Sequence, residues 1–186
     1  MYMNLSNTKR ISDLAINFGS DAIKLKPMNG SFGGFANYLS RGNAPCEEDT
    51  SKDVVAFSSW DKPPVIECVP SAAKERTALK NKIMKDLDIN SKYIGVIYEP
   101  DVQDLDKFSE EIELLSYRDI YRLGNILVGA ARVDYPSFEP VFAVWHIEQL
   151  VKGEKMMGKR APHLHVIMKQ ARVRRKDKEI ERLDKR

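Results

Sequence analysis

All three histidines of the chain fall in one stretch, FAVWHIEQLVKGEKMMGKRAPHLHVIM, from Phe142 to Met168. They are His146, His163 and His165. Two apolar runs, VFAVWHI and HLHVIM, flank a connection of Gly, Lys, Glu, Arg and Pro, the pattern of two neighbouring strands joined by a polar loop. Side chains two apart on a strand share a face. His163 and His165 are therefore predicted to point one way, and Leu164, Val166 and Met168 the other. By the same alternation His146 shares a face with Glu148, and Trp145 with Ile147. Antiparallel pairing of the two strands would gather three imidazoles and a carboxylate on one patch, with an apolar layer behind them. Imidazole nitrogen ligates borderline divalent metals, and three such ligands leave positions open for a substrate oxygen. A lone HxH on a strand is ordinarily an accident of a half-exposed surface; here every histidine is gathered on two adjacent strands. A purely structural zinc site would want a fourth ligand, and Cys46 and Cys68 lie far off in sequence with no CxxC spacing.

The elements that must position these residues belong to a chain of 186 residues, enough for one domain with a proper core. Its apolar fraction of 42% and charged fraction of 31% are those of a soluble globular protein. Two isolated cysteines argue against a disulfide framework and fit a reducing, cytoplasmic setting. The opening MYMNLSNTKR has no basic-then-apolar leader, and no apolar run approaches membrane-spanning length. Net charge is +3, unevenly placed: Lys169–Arg186 carries nine Lys/Arg against four Asp/Glu, a surplus of five, which leaves residues 1–168 at −2. A basic end beside the histidines suits a polyanionic partner, although a charge run is by itself commonly a solvated helix.

In chain order, residues 1–20 read as an N-terminal arm, either a short helix around Ile11–Phe18 or a loose arm. Asp21–Pro27 reads as a strand. Gly30, Gly33 and Gly34 allow a tight turn, and Ser31 can cap a short helix with Phe32, Phe35 and Leu39 at helical spacing, ended by Gly42. An acidic loop spans 43–53, Val54–Trp60 is a short strand, and Pro63, Pro64 and Pro70 make 61–70 a loop or an edge strand. Residues 72–87 form a helix with Leu79, Ile83 and Leu87 on one face. Lys92–Pro100 is the clearest strand. A helix follows with Leu105, Phe108, Ile112 and Leu115 inward, then Arg118–Val133 as a second helix or its continuation. Residues 134–140 turn the chain into the first histidine strand, and 169–186 form a basic helix, a tail or a truncated continuation. The expected fold is α+β, an antiparallel-rich central sheet with helices on one face and a metal site on the other.

A metal that polarises a phosphate calls for a nucleophile. Tyr38 follows a glycine-rich helix start, where backbone N–H groups favour phosphate, and precedes Arg41; its local sequence equally suits an ordinary surface tyrosine. The string AIKLKPMNGSFGGFANYLSRG, Ala22–Gly42, resembles the first strand and tyrosine helix of conjugative relaxases, the single-tyrosine mobilisation branch of the HUH endonucleases. Their pattern, close to SFAGLxxYIT, is matched by Ser31, Phe32, Gly34, Tyr38 and Leu39. Their later HxD and HxH resemble His146-Ile147-Glu148 and His163-Leu164-His165, with Glu in place of Asp and a longer gap. Lys92–Pro100 is similar to their middle strand, with Ile97-Tyr98 where a serine is usual. The resemblance keeps its order over residues 21–168, which it implies to be a relaxase-like nuclease domain.

The resemblance implies that Tyr38 attacks a phosphodiester of single-stranded DNA at a plasmid or mobile-element origin of transfer, during conjugation or mobilisation. A 5′-phosphotyrosine link and a free 3′-hydroxyl would result, later resealed. Mg²⁺ or Mn²⁺ on His146, His163 and His165 would neutralise developing charge, and Glu148 would orient a ligand or take a proton. Arg41, Lys159, Arg160, Arg172, Arg174 and Arg175 would contact phosphates, with accessory relaxosome proteins as further partners. Tyr93, Tyr98, Phe142 and Trp145 offer stacking faces for bases but equally suit a core. A non-catalytic DNA-binding relative is the alternative. A rolling-circle replication initiator, whose tyrosine follows the HxH, fits less well because no tyrosine follows His165. A histidine-triad nucleotide hydrolase would want a further histidine where Ile167 stands.

Overall fold

Every side chain of the run HLHVIM is buried, so this strand has covering layers on both of its faces. The computed structural model describes residues 5–25, 39, 54–57, 65–68, 81, 91–146 and 162–171. In chain order these hold α1 (Leu5–Ala15), β1 (Phe18–Leu25), β2 (Val54–Phe57), β3 (Val65–Cys68), β4 (Tyr93–Pro100), α2 (Leu105–Glu113), α3 (Tyr117–Asp134), β5 (Phe138–His146) and β6 (His163–Gln170). The six strands form one sheet in the order β1-β4-β6-β5-β2-β3, and every neighbouring pair is antiparallel. The architecture is α+β, with β6 at the centre beside β4 and β5.

One face of the sheet meets the helices. Val96 and Tyr98 of β4, Leu164, Val166 and Met168 of β6, and Ala143 and Trp145 of β5 share a core with Ile11 and Leu14 of α1, Phe108 and Ile112 of α2, and Ile120, Leu123, Leu127 and Val128 of α3. Each such aliphatic or aromatic side chain contributes about 1.5–3 kcal/mol by leaving water. Tyr93, Phe142 and Trp145 are buried, as the core reading of these aromatics expects. The alternation predicted for β6 holds: Leu164, Val166 and Met168 enter this core, and the histidines do not.

A bulge in β5 sets the phase of the site. Pro140 opposes Met168 and Phe142 opposes Ile167, so Val141 is an extra residue. Before it, Phe138 packs on the helical core and Pro140 is buried; after it, Ala143 and Trp145 take over that side. Phe142, Val144 and His146 consequently lie on the opposite face, with Ile167, His165 and His163 across from them.

Several boundaries differ from expectation. The first helix ends at Ala15 rather than Phe18, and Phe18 instead opens β1, three residues before the predicted strand. The cause is tertiary: the Phe18 ring meets Phe108 and Trp145 edge-on at 5.5 and 5.7 Å. Helix α1 is also no loose arm, since Ile11, Leu14 and Ala15 are core residues. Leu105, expected inward, is 38% exposed because it is the first residue of α2, whose N-cap Asp104 accepts the Lys107 N–H. Helix α3 is separate from α2, started by Ser116, whose hydroxyl accepts the Asp119 N–H and donates to the Asp119 carboxylate. Between Pro64 and Pro70, β3 is the edge strand that the prolines allow. The helices expected over 32–42 and 72–87 lie outside the described residues except for Leu39 and Asn81, both helical. Among the described residues no helix is long and apolar enough to cross a membrane.

Two glycines of α3 make opposite predictions. A Cβ on Gly124 would lie 2.8 Å from Nε1 of the packed Trp145 indole, whereas one on Gly129 meets nothing within 4 Å. Gly124→Ala should cost a net of about 1–2 kcal/mol, because overpacking outweighs the gain in helix propensity. Gly129→Ala should stabilise by up to about 1 kcal/mol. Urea unfolding of the two variants checks both signs. A third prediction concerns the Tyr98 hydroxyl, buried without a hydrogen-bond partner among the described residues. Burial first, then Asp134 and Tyr135, push its phenol far above the usual range. The unfolded phenol ionises near pH 10 and the folded one does not, so this group costs stability as pH rises above about 10. Tyr98→Phe should remove that alkaline loss, read as a flatter unfolding free energy between about pH 9 and pH 11.

Candidate metal centre

His146 is the last residue of β5 and His163 the first of β6, and the antiparallel register sets them directly opposite each other. His165, two residues on, shares their face and stands between Val144 of β5 and Ile97 of β4. The triad therefore follows from one register and one alternation, as the sequence pattern requires. The three rings pack edge-on with centroids 4.9–5.1 Å apart. Their nearest ligand atoms all lie within 4.8 Å of one another.

All three histidines are buried, at 2%, 2% and 3% exposure. An apolar rim surrounds them: Phe142 and Val144 of β5, Ile167 of β6, and Leu39, each 2% exposed or less. The face opposite the helices is thus a second buried layer at this point rather than an open surface. His146 Nδ1 is 3.3 Å from His163 Nε2, and His146 Nε2 is 3.3 Å from the carbonyl oxygen of Leu39. Burying imidazole polar atoms is costly unless they bond to protein or to an ion.

These residues fit a divalent cation. Two nitrogens sharing one ion at about 2.0–2.1 Å stand roughly 2.8–3.4 Å apart at octahedral or tetrahedral angles, the range in which the His146–His163 pair already lies. Three neutral nitrogen donors suit Mn²⁺, Zn²⁺, Ni²⁺ or Co²⁺ better than Mg²⁺, which prefers oxygen. A cation there could polarise a bound phosphate or carbonyl oxygen.

Of the residues predicted for the site, the three histidines come together. Tyr38, Arg41, Glu148, Lys159, Arg160, Arg172, Arg174 and Arg175 lie outside the described residues. Leu39, immediately after Tyr38 in sequence, is helical, fully buried and in contact with His146 through its carbonyl. Sequence reading missed this contact because a backbone carbonyl carries no residue-type signal; only its place beside the tyrosine motif hinted at it. Tyr121 is half-buried on α3, in the helical layer across the sheet from the histidines. Beside the triad, Gly19, Ser20, Asp21, Ile97, Glu99, Pro100 and Asp101 line an open concavity of about 460 Å³. Its carboxylates make it a poor seat for phosphate.

Adding Mn²⁺ or Zn²⁺ at about 100 times its dissociation constant should stabilise the fold by about 2.7 kcal/mol, a melting shift of roughly 5–10 °C. The same concentration of Mg²⁺ should shift it far less, and His165→Ala should abolish the Mn²⁺ response. Differential scanning fluorimetry of the full chain reads all three.

Comparison with known protein families, with curated proteins and with solved structures returns no match for this chain.

Proposed function

We propose that the chain is a metal-dependent DNA strand transferase of the relaxase type, which nicks one strand at an origin of transfer and later rejoins it. The observation that carries this reading is the contact between Leu39 and His146. Leu39 ends the match to the relaxase tyrosine motif and is joined to Tyr38 by one peptide bond. Leu39, from early in the chain and next to the candidate nucleophile in sequence, thereby meets a histidine from late in it. The α+β sheet with helices on one face and imidazoles on the other is the arrangement that the resemblance implies. It is compatible with an HUH-type domain over residues 21–168.

His146, His163 and His165 would hold Mn²⁺, or Mg²⁺ less readily given the nitrogen donors. The bound ion would supply charge neutralisation at a non-bridging phosphate oxygen. In the cleavage step the Tyr38 oxygen forms a bond to phosphorus as the bond from phosphorus to the 3′ oxygen breaks. The phenolic proton ends on that 3′ oxygen, with Glu148 as the group that relays it. The product is a 5′-phosphotyrosine and a free 3′-hydroxyl, and the reverse reaction reseals the strand with no net consumption of atoms or electrons. A phenol is mostly protonated at neutral pH, which is why a nearby acceptor and cation are needed. Arg41, Lys159, Arg160, Arg172, Arg174 and Arg175 supply the positive charge that the phosphate backbone requires. Accessory relaxosome proteins would open the duplex.

A random-sequence single-stranded DNA pool incubated with the chain and Mn²⁺, then run on a denaturing gel, tests the reading. Wild type should give a slow-migrating covalent adduct whose recovered DNA converges on one sequence. Tyr38→Phe should give none while retaining fold and DNA binding, and His163→Ala should lower the yield about 10²-fold or more. DNA binding without any adduct in wild type would favour the non-catalytic binding module instead. Cleavage undiminished in EDTA would sink the metal-dependent scheme.

A further inference from the structure

We infer that His146 ligates the metal through Nδ1, while the Leu39 carbonyl holds its Nε2–H and so ties the tyrosine-bearing segment to the metal centre. This rests on the histidine triad being a metal centre, and it adds a ligation mode and a linkage to that reading. A carbonyl oxygen can only accept, so the contact between His146 Nε2 and the Leu39 oxygen at 3.3 Å requires the proton to be on Nε2. A neutral imidazole carries one N–H, which leaves the lone pair on Nδ1. That is the nitrogen facing His163 Nε2 at 3.3 Å, within a triad whose ligand atoms lie within 4.8 Å of one another. The two contacts assign different jobs to the two nitrogens of one ring: Nδ1 to the ion, Nε2 to the backbone.

Outer partners of this kind fix the ring and raise ligand basicity, and losing one typically costs 10–100-fold in metal affinity. Here the partner is not a side chain on the same strands but a helical backbone group 107 residues earlier in the chain. Linkage is reciprocal: if docking of this segment raises metal affinity, metal binding must hold the segment in place by the same factor. Leu39 anchors the contact, since its side chain is fully buried.

Full-length protein with isotopically labelled imidazole nitrogens, loaded with an NMR-active cadmium isotope, reads the ligation mode directly. The expected result is cadmium coupling to Nδ1 of His146 and to Nε2 of His163, with the His146 Nε2–H slowed in exchange. Coupling to Nε2 of His146 would overturn the inference. Leu39→Ala should weaken cadmium affinity about 10–100-fold, although no ligand is altered, and Leu39→Met, which restores volume, should recover it. Tyr38→Phe should leave affinity unchanged, because the link runs through the neighbouring backbone. Wild-type affinity in Leu39→Ala would also overturn the linkage. Hydrogen exchange over residues 31–42 should slow with cadmium in wild type, and no slowing would count against it equally. Nδ1 coupling in a protein that forms no DNA adduct leaves this inference standing and removes the nuclease reading. An adduct with Nε2 coupling does the reverse, and failure to bind cadmium at all removes both.

Discussion

The antiparallel register that sets His146 against His163 is the constraint on which the rest of the structure turns. One step of slippage between β5 and β6 would send His146 away from its partners and drive Trp145 out of the helical core. Strand β6 resists such a slip because it is held between two neighbours, with Val166 opposing Val96 on one side and Ala143 on the other. The apolar side of these strands therefore enforces the geometry of the polar side. Leu164, Val166 and Met168 fix β6 by packing on the helices, and the histidines between them inherit their direction.

Burying imidazoles beside Phe142, Val144, Ile167 and Leu39 works against stability unless the ring nitrogens are occupied. The same apolar surroundings strengthen any electrostatic interaction made inside them, because few water dipoles remain to screen it. A cation held there would act on a neighbouring anion more strongly than at a wet surface. The acidic concavity lined by Asp21, Glu99 and Asp101 also includes Ile97, the β4 neighbour of His165. Its carboxylates disfavour a polyanion along the β1 edge.

Much of the sheet was legible in the sequence, for local reasons. KYIGVIYEP is dense in β-forming residues and closed by proline, and HLHVIM opens in polar–apolar alternation and continues apolar, so β4 and β6 declare themselves. The grouping of the histidines was legible because it needs only alternation and an antiparallel turn. Other features depend on partners distant in the chain. Phe18 looks like the end of an amphipathic helix until Phe108 and Trp145 are seen against it. Leu105 has the right spacing for an inward residue, but the Asp104 cap fixes where the helix starts and leaves it half in water. The Leu39 carbonyl could not have been found from residue type at all, since every residue has one. No reading of spacing could separate a tyrosine motif that reaches the histidines from one that does not.

The extra residue at Val141 makes β5 two half-strands in opposite phase, its first half addressing the helices through Phe138 and Pro140, its second presenting His146 to the other side. Simple alternation carried back from Trp145 would place Glu139 inside and Phe138 outside, the reverse of what is found. The strand thus carries a frameshift in three dimensions. Its histidine can be moved to the wrong side of the protein without altering a single chemical group, by losing or gaining one link of chain. A lineage of such sheets would keep or discard this centre through changes in length more abruptly than through exchange of side chains.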